Sequence, residues 1–108
     1  MNTPANLFAD ALPPAIGERF DTLLQHGKVV IERIVSSSQP DQTEYQQSQD
    51  EWVVLLQGEA ELIVDGQPVP LRAGQHLFIA AGTPHTVKRT SPGAMWLAVH
   101  IHPDTAPA

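Results

Sequence analysis

The sequence predicts an all-β protein, a small antiparallel barrel or double-sheet sandwich. Ten prolines and seven glycines divide the 108 residues into short pieces, which leaves little room for a long helix. Many of these pieces look like strands, and they recur about every 8–12 residues, a spacing typical of sandwiches and barrels. Asp65-Gly66 separates two of them and favours a tight hairpin, because both residues tolerate a positive φ.

The first predicted element, residues 18–24, is ambiguous. Phe20, Leu23 and Leu24 share one face of a helix, yet the following residues 25–28 look like a hairpin turn. A strand and a single helical turn therefore both remain open. Further strands are predicted at residues 29–35, 51–56, 60–64, 67–71, 76–80, 85–89 and 96–102.

The piece at residues 67–71 contains two prolines, Pro68 and Pro70. Proline has no N–H to donate to a strand ladder, so it is confined to edge strands and bulges. The sequence therefore predicts an edge strand or a bulge at this place.

Length and composition fit a single domain that covers residues 1–108. Apolar residues make up 42% and charged residues 17%, so the chain is expected to be globular rather than disordered. Residues 1–15 and 104–108 are expected to be loosely held. The start lacks the features of a signal peptide, and no run approaches the roughly 20 apolar residues that span a bilayer. We therefore expect a cytoplasmic protein without membrane contact.

Charge and cysteine content exclude several classes of function. The formal net charge is −6, and the six basic residues are scattered along the chain. A nucleic-acid surface needs clustered Lys and Arg, so nucleic acid is not an expected partner. The chain has no cysteine, which excludes disulfides, thiolate nucleophiles and cysteine-based zinc or iron–sulfur sites.

Side chains that can bind a metal fall at the ends of the predicted strands. Residues of equal parity share one face of a strand, and one such set is Tyr45, Gln47, Gln49 and Glu51. His85 begins a later strand, and His100 lies near the end of the last one. Imidazole suits Zn, Fe, Cu or Ni, and carboxylate oxygen suits Mn or Fe. Spacing alone does not bring Glu51 and His85 together.

Two stretches of the sequence have the spacing of known motifs. Glu51 is followed after six residues by Gly58, and Gly74 is followed after five residues by the stretch AAGTPH, which ends at His85. The first stretch resembles the end of the first motif of small single-domain cupins, and the second stretch resembles their second motif. The resemblance extends from about residue 29 to about residue 102. It implies a jelly-roll β-barrel and a homodimer, with Trp52 and its neighbours as candidate dimer contacts.

The first motif departs from the family pattern, because its His-x-His pair is missing. Spaced three residues before Glu51, the pair would fall on Tyr45 and Gln47; spaced four residues before it, on Glu44 and Gln46. We prefer the three-residue spacing, because it keeps the candidates on the face of Glu51. Three further positions depart from the family pattern. Gln39 stands where the first motif has glycine, and in the second motif Ala80 replaces the usual proline and Arg89 replaces the asparagine.

The resemblance implies a mononuclear divalent-metal site with Glu51 and His85 as ligands. Gln47 is a further candidate through its amide oxygen, and His100 is a candidate from the last strand. Tyr45 is expected in the pocket wall rather than on the metal. The ion could be Zn, Fe, Mn or Ni.

The activity of such a site stays open. A metal would act as a Lewis acid or bind a substrate in an open position. The reaction could be dioxygenation, isomerisation or lyase chemistry on a small polar organic molecule. The alternative is a metal-free barrel, either a sensor or storage domain that binds a small ligand or a vestigial barrel used only for association. The fold cannot decide between them, since one barrel hosts many chemistries.

Overall fold

A computed structural model describes residues 3–104, which form two antiparallel sheets of β-strands. The strands in chain order are β1 Glu18–His26, β2 Val29–Ser36, β3 Glu44–Tyr45, β4 Asp50–Gln57, β5 Glu59–Val64, β6 Gln67–Arg72, β7 His76–Ile79, β8 His85–Thr90 and β9 Ala94–Ile101. One sheet has the order β1-β2-β9-β4-β7, and the other has the order β3-β8-β5-β6. The all-β prediction is confirmed. No helix in residues 3–104 is long and apolar enough to cross a membrane.

The ambiguous first element is a strand. β1 pairs antiparallel with β2, and Gly27 in the turn between them has a φ of 58°. The seven other predicted strands all occur, with ends that differ by at most two residues. The two-residue strand β3 was not predicted, because two residues are too few to show an alternating pattern.

The two prolines lie on an edge strand, and β6 contains no bulge. Pro68 faces Ile63 and Pro70 faces Glu61 in an uninterrupted register with β5. β6 is the last strand of its sheet, so no neighbour requires the missing N–H groups. Asp65 and Gly66 form the hairpin turn before it, with φ values of 50° and 77°.

Gly58 connects β4 in one sheet to β5 in the other. Its φ is +86°, a conformation that L side chains rarely adopt. A Cβ at this position would lie 2.6 Å from Ser91 Oγ and 3.0 Å from Ala94 Cα. The sheet crossing therefore requires glycine here, both for the backbone conformation and for the close approach.

The core lies between the two sheets. Along β4, Glu51, Val53 and Leu55 are buried and face the other sheet, whereas Trp52 and Val54 on the opposite face are half-buried. β4 therefore carries apolar residues on both faces, but only one of these faces is fully buried. The remaining core residues come from both sheets and include Ile34, Leu62, Leu71, Ile79 and Trp96.

A buried arginine holds the segment before β1 against the first sheet. Arg33 donates to the Asp21 carboxylate at 2.8 Å and to the carbonyls of Leu7 and Ala9. Arg19 donates to the other oxygen of Asp21 at 3.1 Å. The two predicted loose ends, residues 1–15 and 104–108, include residues 1–2 and 105–108, which lie outside the described residues.

Candidate functional site

A small cavity lies between the two sheets. Its volume is about 70 Å³, far below the roughly 300–1,000 Å³ of sites for drug-sized ligands. The apolar part of its lining comes from both sheets and includes Ile34, Val53, Leu62, Ile79, Val87 and Trp96. The polar side chains include all five candidates named from the sequence: Tyr45, Gln47, Glu51, His85 and His100. The fold therefore brings the predicted site residues together around one space.

Strand pairing places the candidates in neighbouring pairs. Glu51 on β4 lies directly opposite His100 on β9. Tyr45 on β3 lies opposite His85 on β8, and the two rings stack at a centroid distance of 5.7 Å. Tyr45 thus forms part of the pocket wall beside His85. The first pair belongs to one sheet and the second pair to the other, so the cavity joins both sheets.

Hydrogen bonds between the two motifs bring His85 to Glu51. The backbone N–H of Gly82 donates to the carbonyl of Gln47 at 2.7 Å, and the N–H of Ala81 donates to the Asp50 carboxylate at 2.8 Å. Both donors belong to the turn before His85. These contacts supply the link between the motifs that spacing alone could not predict.

The carboxylate of Glu51 lies between the two imidazoles. Its Oε1 is 3.8 Å from Nε2 of His85 and 3.9 Å from Nδ1 of His100, and all three residues are less than 10% exposed. An ion with bonds of about 2.0–2.2 Å can bridge atoms about 4 Å apart, so each imidazole and Glu51 are within reach of a shared ion. As they stand, no three His, Cys, Asp or Glu side chains of residues 3–104 form a group that could hold an ion.

Each imidazole has its outer nitrogen fixed by an acceptor. Nδ1 of His85 lies 3.0 Å from the carbonyl of Thr83, and Nε2 of His100 lies 2.8 Å from the Glu32 carboxylate. Both partners can only accept, so the outer nitrogens carry the protons. In the neutral rings Nε2 of His85 and Nδ1 of His100 are left as bases facing Glu51. Metal-binding histidines are typically oriented in this way, with the outer nitrogen donating to an acceptor and the inner nitrogen free to bind.

Two glutamine amides connect these groups. Gln47 Nε2 donates to Glu51 Oε1 at 2.9 Å and lies 3.5 Å from Nε2 of His85. Gln49 Nε2 donates to Gln47 Oε1 at 3.0 Å and lies 3.4 Å from Nδ1 of His100. In this arrangement the amide nitrogen of Gln47, rather than its oxygen, faces Glu51. No buried side-chain nitrogen or oxygen in residues 3–104 lacks a hydrogen-bond partner.

Burial and neighbouring charges shift several pKa values. The hydrogen bond to Glu32 raises the pKa of His100, although burial opposes this shift. Burial raises the pKa of Glu18, which also lines the cavity, and the charges of Glu51 and Glu32 add to the effect. Burial likewise raises the pKa of Tyr45. All three groups therefore hold their protons more tightly than they would in free solution.

Sequence reasoning did not name Glu32, Gln49 and Glu18 as site residues. Gln49 has the parity of Glu51, so the alternation on that stretch already placed it on the inner face. Glu32 has the parity of Ile34, a core residue, and this was the available signal for it. Glu18 could not be assigned a face, because the first element had no definite type.

The comparisons with known proteins agree with the fold. A family model described as Cupin_2, Cupin domain, matches residues 35–101. A structure from Ralstonia eutropha JMP134, titled a "putative mannose-6-phosphate isomerase", is 36% identical, with a TM-score of 0.82 over 94% of this chain and 100% of that one. No curated protein matches.

Two more distant structures are similar in fold alone. A conserved SPY1581 protein of unknown function from Streptococcus pyogenes is 20% identical, with a TM-score of 0.82 over 97% of this chain and 91% of that one. An RmlC-like cupin protein from Desulfovibrio desulfuricans is 18% identical, with a TM-score of 0.78 over 94% of this chain and 97% of that one.

Proposed function

The chain belongs to the cupin family, and on that premise we propose that its barrel holds one divalent metal ion and binds a small polar organic molecule beside it. Glu51, His85 and His100 would hold the ion. Two nitrogen ligands and one oxygen ligand suit Zn, Fe, Mn or Ni. When bound, the metal would act as a Lewis acid or offer the small molecule an open coordination position.

The position of one oxygen atom carries this proposal. Oε1 of Glu51 has an imidazole nitrogen at 3.8 Å and another at 3.9 Å. The outer nitrogens of both rings are held by Thr83 and Glu32, so His85 and His100 cannot turn freely away. Fixed ring orientation lowers the entropy lost when an ion binds. The three donors are therefore prepared for a shared ligand of positive charge.

The charge of the cavity also favours a cation. Three carboxylates line it, from Glu18, Glu32 and Glu51. All six Lys and Arg residues of the chain lie within residues 3–104, and none of them lines the cavity. A buried anion without a cationic partner is costly, so a bound metal would offset the negative charge of the carboxylates.

The size and walls of the cavity limit its organic ligand. A volume of about 70 Å³ admits a small molecule or the reacting end of a larger one. The carboxylates and imidazole nitrogens of the lining accept hydrogen bonds, and many of the other lining side chains are apolar. We therefore propose a small ligand that carries hydroxyl or amino donors and a short hydrocarbon part.

The Ralstonia relative supports isomerisation as one possible chemistry, but its phosphate is not carried over to this chain. Phosphate groups are usually bound by Arg or Lys, often through paired charge-assisted hydrogen bonds. The six basic residues of this chain lie outside the cavity lining. Isomerase, dioxygenase and lyase chemistry on an unphosphorylated molecule all remain within the proposal.

Elemental analysis of protein purified without added metal tests the proposal. We expect about one equivalent of metal in the wild type, a loss in Glu51→Ala and His85→Ala, and no loss in Glu44→Ala. Glu44 is an exposed carboxylate one residue before Tyr45 and therefore controls for charge. A wild type with far less than one equivalent would exclude a resident metal. Metal that survives both site variants would place the ion elsewhere.

The second candidate is a metal-free barrel that binds a small ligand. The observation that favours it is the hydrogen-bond network of Gln47 and Gln49, which satisfies the buried polar groups without an ion. Chelator-treated protein distinguishes the two candidates. Under the metal-free hypothesis it retains its ligand affinity, and under the metal hypothesis it loses that affinity until metal is added back.

A further inference from the structure

We propose that the amide group of Gln47 takes the place of the cation and that it must move away before a metal binds. This inference rests on the proposed metal site and concerns its regulation. Gln47 then acts as a competitor of the ion, which is the opposite of a metal ligand. The two roles predict opposite effects when the side chain is removed.

The amide nitrogen of Gln47 is in contact with the two atoms that an ion would bridge. Gln47 Nε2 is 2.9 Å from Oε1 of Glu51 and 3.5 Å from Nε2 of His85. These two acceptors are 3.8 Å apart, and they are the same two atoms that an ion would bridge. An NH₂ group has two hydrogens and can serve both acceptors at once. The nitrogen and a metal ion therefore compete for one position.

Gln49 fixes the orientation of the Gln47 amide. Oε1 of Gln47 accepts a hydrogen bond from Gln49 Nε2 at 3.0 Å. The same nitrogen of Gln49 lies 3.4 Å from Nδ1 of His100, which can accept because the other ring nitrogen donates to Glu32. Turning the Gln47 amide by 180° would bring two NH₂ groups face to face. The nitrogen, and not the oxygen, is thus held toward Glu51.

These contacts make metal binding less favourable. A metal that enters must break a hydrogen bond to a buried carboxylate, and such bonds to charged groups stabilise by about 1.5–3 kcal/mol, or roughly 10- to 150-fold in affinity. The amide therefore lowers the affinity of the site for every ion. The cost is the same for every ion, so at a given metal concentration only the ions that bind the site tightly would be retained.

Zinc titration by calorimetry tests the inference on the full chain after treatment with a chelator. Gln47→Ala removes the amide and leaves space for water, and Gln67→Ala is the matched control. Gln67 is exposed at the start of the edge strand β6 and does not line the cavity. We expect Gln47→Ala to bind zinc about tenfold more tightly than the wild type and Gln67→Ala to bind it equally well. Equal or weaker binding by Gln47→Ala would overturn the inference.

The outcomes also separate this inference from the proposed function. Zinc binding by Gln47→Ala but not by the wild type would support the competitor role, and it would reject a resident metal in the natural chain. Binding by neither protein would overturn the competitor role, because Gln47 would then not be what excludes the ion.

A measurement without metal provides the second readout. In long-range ¹H–¹⁵N spectra of the chelated proteins, we expect Nε2 of His85 to shift in Gln47→Ala. The signals of His26, an exposed histidine, should stay in place. An unchanged His85 signal would show that the amide does not contact the ring, and the inference would fail whatever the zinc titration gives. The same spectra show whether the variant is folded.

Discussion

His100 donates the proton on Nε2 to Glu32 across the pairing of β9 with β2, at a distance of 2.8 Å. The two residues are diagonal neighbours, since His100 faces Val30 and Glu32 faces Ala98. Diagonal positions are about 7–8 Å apart, so only long side chains meet across them. This bond turns Nδ1 of His100 toward Glu51. A residue on β2 thus determines the orientation of a site residue on β9.

Replacing Glu32 by Gln should lower the pKa of His100. The hydrogen bond to Glu32 is the main cause of the raised pKa, and the neutral amide is a weaker partner for the charged ring. A pH titration of the imidazole signals by NMR measures the change. Glu61→Gln is the control, because Glu61 pairs with Lys88 and Arg89 on the other sheet. An unchanged His100 titration in Glu32→Gln would contradict the assignment.

The same substitution should change the pH dependence of stability. A pKa raised above the ordinary value of 6.5 stabilises the folded state fully below pH 6.5, and this stabilisation is lost as the pH rises through the folded-state pKa. Glu32→Gln should therefore cost more free energy of unfolding at about pH 6 than at about pH 9. Urea denaturation at both pH values measures it. An equal cost at both would show that His100 is not the linked group.

Replacing Asp21 by Asn should destabilise the fold by about 1–3 kcal/mol, because Arg33 is buried and loses its charged partner. Arg33 also lowers the pKa of Asp21 below its ordinary value of 3.8. The stabilisation is present above pH 3.8 and is lost as the pH falls through the folded-state pKa, so the variant should approach the wild type in acid. Urea denaturation across that range measures both effects.

Asp104→Asn is the control for this comparison. Asp104 pairs with Lys28 at the surface, and its side chain is 82% exposed. Exposed pairs contribute about 0–1 kcal/mol, so this variant should stay close to the wild type at every pH. A similar loss in both variants would mean that burial of Arg33 is not the cause.

Gly58→Ala should destabilise more than Gly66→Ala, although both glycines have positive φ values, of 86° and 77°. Each substitution strains the backbone by about 1 kcal/mol. At Gly58 the added Cβ also overlaps Ser91 and Ala94, whereas at Gly66 it meets no atom within 4 Å. Overpacking of this kind adds about 1–3 kcal/mol. Thermal or urea unfolding compares the two, and equal losses would argue against the close approach.

The outer face of β4 and β7 is the proposed contact between two copies of the chain. Trp52 is half-buried there and pairs with Phe78, which is 57% exposed on the edge strand β7. We expect Phe78→Glu to convert a dimer into a folded monomer in sedimentation experiments, because a charge would have to be buried at the contact. Phe8→Glu is the control at another exposed phenylalanine. A dimer that survives Phe78→Glu would place the contact on another face.

The sequence predicted most of the strands because period-two patterns and turn residues are local signals. Asp65-Gly66 and the edge prolines gave the correct hairpin and edge strand for physical reasons that hold within a few residues. The convergence of Glu51 and His85 required the family resemblance, because it depends on hydrogen bonds between residues more than 30 positions apart. Glu32 could not be found from local patterns because its partner His100 lies 68 residues further along the chain, and only the pairing of β2 with β9 brings them together. Which atom of Gln47 faces the site is likewise fixed by a third residue, Gln49.

The site draws its side chains from both sheets, with Glu51 and His100 on β4 and β9 and His85 on β8. An ion bound by all three side chains would link the two sheets directly. Without an ion, the Gln47 amide makes this link by its contacts with Glu51 and His85. The unfolding temperature of the protein would then depend on whether the cavity holds an ion. Thermal unfolding would therefore report metal occupancy even when the reaction is unknown.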